Sequence, residues 1–283
     1  DPGREMGWRE YALAVLAVSV VSLVAVYAIQ RLQGVLPLNP AGLAGVPAAL
    51  AFNTAVSFVS NTNWQSYGGE TTMSHLTQML ALTVQNFVSA AVGMAVLAAF
   101  VRRLHRRTAS TLGTAWVDIT RSVLYVLLPL AVVLSLLLVS QGVVQTLAAS
   151  REVTLVQPFQ ADSTVVSTQV VAVGPAASQV AIKQLGTNGG GVFNVNSAHP
   201  LENPTPLSNL LELLAILLIP AALCFTFGRM VKDDRQGWAI FAAMALIFAA
   251  LTIPTMAAEQ ARNPALTAAG ADQVASATLP GGN

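Results

Sequence analysis

Neutral, oxygen-bearing residues and glycines gather at two points of this chain, Ser60-Asn61-Thr62-Asn63-Trp64-Gln65-Ser66-Tyr67 and Gly186-Thr187-Asn188-Gly189-Gly190-Gly191. Both stretches interrupt long apolar runs. Irregular backbone leaves C=O and N–H groups unpaired, and at membrane depth it persists only where protein shields it or a wet cavity solvates it. A weakly hydrated monovalent cation is held by several neutral oxygen dipoles that replace its water. A ring of carboxylates would hold it without rejecting divalent ions. Asn61, Thr62, Asn63, Thr187, Asn188 and Gly189 offer backbone carbonyls without a fixed charge. Gly189, Gly190 and Gly191 allow the positive φ values that turn successive carbonyls toward one axis. Taken alone, Thr-Asn-Gly-Gly-Gly reads as a turn; its membrane context and its recurrence point to an ion path.

The elements that must position these stretches are membrane helices. Of 283 residues, 54% are hydrophobic and 10% charged, against about a quarter charged in soluble domains. The mean hydropathy is +0.62. These values argue against a soluble globule and for one integral membrane body. Five apolar stretches reach the roughly 20 residues that a helix needs to cross a bilayer. They lie near 8–32, 74–101, 114–141, 207–228 and 237–258. Trp8 and Tyr11 open the first at a position suited to the membrane interface. Its apolar run is too long for a cleavable signal, and no small-residue cleavage site follows. The start at Asp1-Pro2 and the loop-like end Leu279-Pro280-Gly281-Gly282-Asn283 suggest a segment of a longer protein. Cys224 is the only cysteine, which leaves no internal disulfide or cysteine-rich metal site; it is expected to pack in the core.

Two shorter apolar runs, 46–59 and 175–185, open near Pro47 and Pro175, residues suited to a helix start. They are too short to span and fit re-entrant helices. Each leads into a polar stretch and then a span, so the unit helix, re-entrant helix, polar segment, helix occurs twice. The expected fold is an all-α integral membrane protein built from such units. A first pore repeat occupies 1–113, with its filter at 60–67. A second occupies 114–236, with an outer loop at 147–174 and its filter at 186–191, and a further span lies in 237–283. Thr62-Asn63 is laid on Thr187-Asn188. Repeats of this kind place ion sites near their interface. Two copies supply only part of a four-sided ring of carbonyls, so either the chain pairs with itself or further copies follow.

The basic residues orient the spans. Arg4 and Arg9, then Arg102, Arg103, Arg106 and Arg107, then Arg229, Lys232 and Arg235 fall on one side of five alternating spans. That side is cytoplasmic by the positive-inside rule, so the filter stretches face outside. The arginine cluster reads as a topology signal rather than a nucleic-acid site. Asp118 and Arg121 share a helix face and are expected to pair locally or at a subunit interface. Glu212 is expected to face the outer vestibule, and Pro129 and Pro220 to kink their spans. Within the outer loop, Glu152–Val156 and Ser163–Val173 read as short strands limited by Pro158 and Gly174. His75 and His199 are expected in hydrogen-bonding roles, Trp64 and Tyr67 as braces or interface markers, and Met73 and Met79 as packing residues. Within the 147–174 loop no paired carboxylates or Ser/His/Asp arrangement marks a catalytic site.

Longer motifs carry a family resemblance. Asn53-Thr54-Ala55-Val56-Ser57-Phe58-Val59, then Asn61 to Tyr67 and Gly69-Glu70-Thr71-Thr72, closely resemble the first pore segment of the potassium-binding A subunit of the bacterial Kdp potassium-transporting ATPase. Leu185 to Gly191, Phe193-Asn194 and His199-Pro200-Leu201-Glu202-Asn203-Pro204-Thr205 resemble its second. Leu82 to Phe87, Thr111-Leu112-Gly113, Trp116-Val117-Asp118 and Asp234-Arg235-Gln236-Gly237 agree as well. The resemblance runs from about Met6 to Asp272. It implies four pore repeats around one potassium path, in a fold similar to potassium channels and Trk/Ktr-type transporters. This chain would hold two of the four, without the family's first helix and last two pore segments. Potassium would sit at Asn61, Thr62, Asn63, Gln65, Thr187, Asn188, Gly189 and Gly190. Gln65 matches a family position beside the filter, where its amide supports the loop or touches the ion.

The implied role is a non-catalytic, multi-pass subunit of the bacterial inner membrane that selects and translocates K+ and binds no ATP. Implied partners are a P-type ATPase subunit, a single-span C subunit and a very small single-span peptide, with lipid around them and no nucleic acid. Neither GxxxxGK[ST] nor Asp-Lys-Thr-Gly-Thr occurs in this chain. Two other readings accommodate the spans. An ion-coupled secondary transporter also uses broken helices and midplane sites; a structural scaffold leaves the two polar stretches unexplained.

Overall fold

The computed structural model describes residues 4–105, 110–161, 164–194, 196–271 and 273. In chain order the helices are α1 (Trp8–Leu32), α2 (Ala48–Val59), α3 (Gly69–Thr72), α4 (Val84–His105), α5 (Ala115–Arg121) and α6 (Leu128–Ser140). A hairpin of β1 (Arg151–Ala161) and β2 (Thr164–Val171) follows, then α7 (Ala176–Leu185), α8 (Pro206–Val231), α9 (Asp234–Gln260) and α10 (Pro264–Ala268). Two wide π-helical turns, Thr77–Thr83 and Ser122–Leu127, lead into α4 and join α5 to α6. Among the described residues, five helical stretches are long and apolar enough to cross a membrane: Trp8–Leu32, Thr77–His105, Ala115–Ser140, Pro206–Val231 and Asp234–Ala268. They match the five expected spans. The short helices α2 and α7 fall where re-entrant helices were expected, each preceded by a proline in the N-cap position.

Residues 1–222 and 223–283 form two compact units. In the first, α1 packs on α2, α4 on α5 and α6 on α7. Small side chains make this close approach possible: Ala51, Ala55, Ala91, Ala95, Ala176, Ala177 and Ala181 are all fully buried. Lipid tails are as apolar as leucine, so van der Waals fit between small residues holds such helices together. Phe58 of α2 anchors a cluster with Val26, Val46, Tyr67, Met73 and Leu82. Ala176, Val192 and Phe193 form a second around the start of α7. The larger aliphatic residues face outward, Val20 and Val21 on α1 and Leu136 on α6 among them.

Polar side chains within this unit satisfy backbone that leaves the helices. Gln33 donates to the carbonyls of Ala44 at 2.7 Å and Thr72 at 2.8 Å, and its own carbonyl oxygen accepts from Ser74 N and Thr77 Oγ1, both at 3.0 Å. One glutamine thereby ties the end of α1 to the segments on either side of the first polar stretch. In the second unit, Phe225 meets Trp238 edge-on at 4.8 Å. Cys224 is buried there, as expected.

Two expectations change. Asp118 pairs with Arg102, at 2.5 and 2.8 Å, and not with Arg121, which is exposed. A fork-shaped guanidinium matches both carboxylate oxygens, and Arg102 reaches them from the end of α4, whereas Arg121 three residues on points out. Pro129, expected to kink its span, lies just past the wide turn at Ser122–Leu127, where a regular helix would meet the missing N–H. Pro158 does not end its strand. It lies in an irregularity between Thr154 and Phe159 that drops the residues between them from the ladder, the kind of place where a strand tolerates a proline. Arg106, Arg107, Ser163 and the segment Leu279–Asn283 lie outside the described residues.

Candidate ion-binding site

The two polar stretches are built by the same device. At the end of α2, Asn61 N donates to Phe58 O and Thr62 N to Ser57 O. At the end of α7, Thr187 N donates to Gln184 O and Asn188 N to Lys183 O. Each pair of bonds, with a left-handed residue at Asn61 (φ 62°) or Thr187 (φ 53°), is a Schellman helix end. This correspondence lays Asn61 on Thr187, Thr62 on Asn188 and Asn63 on Gly189, one residue out of the register that sequence identity suggested. Identity aligned two Thr-Asn pairs; backbone hydrogen bonding aligns the helix ends that launch the segments.

Beyond the caps the two segments share a rhythm. Asn61 and Asn63 have φ of 62° and 54°, and Thr187 and Gly189 have φ of 53° and 88°, while Thr62 and Asn188 between them do not. Alternating hands turn successive carbonyls toward one side, and converging backbone carbonyls replace a cation's hydration shell. The segments also approach each other closely. A methyl group on Gly190 would sit 2.9 Å from the Asn63 carbonyl oxygen, and one on Gly189 would sit 3.7 Å from that of Thr62. At φ 70° and 88° these glycines occupy backbone that side chains rarely adopt.

The hydrogen bonds divide the carbonyls into two sets. Among the described residues, the carbonyl oxygens of Asn61, Thr62, Asn63, Thr187, Asn188 and Gly189 accept none. Of the carbonyls beside these runs, Ser60 O likewise accepts none among the described residues, whereas Gly186 O accepts from Asn61 Nδ2 at 3.2 Å, Trp64 O from Ser57 Oγ at 3.1 Å, Gly190 O from Lys183 Nζ at 2.8 Å and Gly191 O from Gln65 Nε2 at 3.0 Å. Thr62, Asn63, Thr187, Asn188, Gly189 and Gly190 line one cavity of about 580 Å³, with Glu212 of α8 on its wall. Of the eight residues proposed from sequence, Asn61 and Gln65 are outside that lining. Asn61 instead bridges the segments, accepting from Ser89 Oγ at 2.7 Å and from Asn188 Nδ2. Gln65 holds the second segment through Gly191. Gly190 lines the cavity with its carbonyl already taken.

The family model for the potassium-transporting ATPase A subunit matches residues 1–280. The chain belongs to that family. Among curated members of the potassium-transporting ATPase A subunit family, a protein of Sorangium cellulosum is 65% identical over 284 residues, all of this chain and 49% of its own length. One of Herpetosiphon aurantiacus is 63% identical over the same share of each, and one of Anaeromyxobacter dehalogenans is 60% identical. All three bear the name potassium-transporting ATPase potassium-binding subunit. The chain spans about half the length of the curated relatives it matches.

Around the two segments, this member of the A subunit family places a polar shell that sequence reasoning missed. Asn86 and Ser89 of α4 bind both segments: Asn86 Oδ1 accepts from Asn63 at 2.5 Å, and Asn188 Nδ2 donates to Ser89 Oγ at 3.1 Å. Asn196 Oδ1 accepts from Gly190 N at 2.7 Å. Lys183 and Glu202 form an ion pair at 2.5 Å with both side chains 1% exposed. A signal for this pair was present, because Lys183 is the one charge in the apolar run 175–185, and such a charge demands a partner. Glu212 accepts from Gln184 Nε2 at 2.6 Å, and its Oε1 is buried without a partner among the described residues, as is Asn63 Oδ1. The histidines take hydrogen-bonding roles as expected: His75 Nε2 meets Ala148 O at 3.0 Å, and His199 Nδ1 accepts from Leu201 N at 3.1 Å.

Proposed function

We propose that the parent protein takes up potassium, and that this chain supplies two of the carbonyl segments that strip and hold the ion. The observation that carries the reading is the set of six carbonyls, 61–63 and 187–189, left without donors among the described residues, with every residue of the set but Asn61 lining one cavity. Backbone carbonyls are strong acceptors that native structures seldom leave unused. A cation that accepts electron density from several of them supplies the missing partner, as in carbonyl-lined filters. Asn63 and Glu212, which line that cavity, each also carry a buried side-chain oxygen without a partner among the described residues, Oδ1 and Oε1. The names of the relatives agree with potassium as the ion.

In this reading the chain comprises pore repeats 1–113 and 114–236 and the start of a third, with α2 and α7 as pore helices. The matched helix ends support that division. K+ enters from the extracytoplasmic side of the bacterial inner membrane. Energy comes from a P-type ATPase subunit, with a single-span C subunit and a small single-span peptide completing the complex; this chain binds no ATP.

The test is growth and uptake at very low external potassium by a transport-deficient bacterium carrying the full-length parent gene and its neighbours. Gly189→Asp places a carboxylate and a side chain at φ 88° beside the Thr62 carbonyl. Gln65→Arg removes the amide that holds Gly191. Each change is expected to raise the half-saturating potassium concentration by about tenfold or more, the effect of losing a single good ligand contact. Uptake kinetics unchanged in both variants would return the two segments to ordinary loops.

A further inference from the structure

Lys183 is the only charged residue of α7, yet it and Glu202 are almost completely withdrawn from water. Burying an ion pair is expensive, and an apolar pair of similar volume is often as stable or more so. Stability alone therefore gives no reason for charges here. What the pair holds does. Lys183 Nζ donates to Gly190 O at 2.8 Å as well as to Glu202. Glu202 Oε1 accepts from Phe193 N at 3.1 Å, and Oε2 accepts from Ser197 Oγ at 3.2 Å. The backbone just past the free carbonyls is thus gripped on both sides of Gly191.

The first segment contains the matching contact. The Schellman register that lays Asn61 on Thr187 also lays Ser57 on Lys183 and Trp64 on Gly190. Ser57 Oγ donates to Trp64 O, seven residues on, at 3.1 Å, as Lys183 Nζ does to Gly190 O, seven residues on. Both short helices carry a donor on their last turn that ties back the first carbonyl beyond the open run. In one repeat the donor is a neutral hydroxyl; in the other it is an ammonium balanced by a carboxylate.

We propose that Lys183, held by Glu202, is the positioning residue that ends the ion-facing carbonyl run at Gly189 and fixes the spacing of the second segment, and so sets ion selectivity. This rests on the potassium-filter reading above. The ammonium takes Gly190 O out of the ligand set, and its tether to Glu202 keeps Gly189 O from following. Ser57 does the same for Trp64 with a weaker, uncharged bond.

The experiment uses the full-length parent complex reconstituted in vesicles, with ATP hydrolysis stimulated by potassium or rubidium as the readout. Four proteins are compared: native, Lys183→Met/Glu202→Leu, Gly191→Ala and Gly189→Asp. The double variant removes both charges of the pair together, so neither partner stays buried without the other. Gly191→Ala keeps both charges but places a methyl group 2.6 Å from Lys183 Nζ and 2.7 Å from Glu202 Oε1, so the flexible ammonium must move off its contacts. Both are expected to raise the apparent KM for potassium about tenfold, the equivalent of one hydrogen bond to a charged group. The rubidium-to-potassium KM ratio should fall toward one while the maximal rate stays within about twofold, the signature of altered ion binding rather than altered chemistry. Native KM and native ion ratio in an assembled Lys183→Met/Glu202→Leu complex would overturn the proposal. Should that variant fail to assemble, the same result in Gly191→Ala overturns it. A raised KM in Gly189→Asp alone would leave the filter reading standing and remove only the role of Lys183. Native kinetics in Gly189→Asp as well would remove both.

Discussion

Thr187 shows how much a single residue contributes to this site. A β-branched residue at φ 53° is a backbone outlier. Asparagine tolerates that region, and Asn61 uses it at the matching position while bonding to Gly186 O and Ser89 Oγ. Thr187 is exposed and gains no such bond from its side chain. Strain of this type costs about 1 to 3 kcal/mol and collects at functional sites. Thr187→Gly is therefore expected to stabilise the parent protein by about 1 kcal/mol, the lower end of that range. The check is the thermal unfolding midpoint of the detergent-solubilised complex; a lower midpoint for the glycine variant would count against stored strain. The glycines and the Asn-Thr-Asn group announced themselves by type. Lys183 was equally visible, and its isolation in an apolar run was the clue; its partner Glu202 could be found only through space, because the two lie nineteen positions apart in the chain.

At the level of elements, helix positions follow from local properties and helix contacts do not. Hydropathy over about 20 residues marks a membrane-length helix whatever surrounds it, which is why Trp8–Leu32 emerged with its ends correct. The two π-helical turns left no such mark, since they depend on how α4 and the α5–α6 rod seat against their neighbours. The α8–α9 turn yields a prediction. A methyl group on Gly237 would lie 2.8 Å from Cys224 O and 3.4 Å from Gly228 Cα, so the two helices cross with their backbones nearly touching. Small residues at such crossings carry helix association in membranes. Gly237→Leu should open the crossing and destabilise the second unit by about 1 to 3 kcal/mol, the usual cost of overpacking. The readout is protection of α9 amides from hydrogen exchange; native protection would show that the crossing tolerates separation.

For the whole molecule, orientation is the property to test. The hairpin residue Thr168 is exposed, and so is Arg103 at the end of α4. Cys224 is buried, so labelling background is low. A membrane-impermeant maleimide applied to intact spheroplasts is expected to label Thr168→Cys and spare Arg103→Cys until the membrane is opened. The reverse pattern would invert the charge-based orientation and with it the direction of ion entry. By itself the sequence determined the membrane class, the five spans, the two proline-led short helices and the two polar stretches that follow them. Those depend on composition and period along the chain. The tertiary structure decided which carbonyls stay open, that Asp118 takes Arg102 over Arg121, and that Gly190 is tied to Lys183. Each of those outcomes turns on which donor comes within about 3 Å of which acceptor, and segments far apart in the chain reach that distance only once the helices have packed.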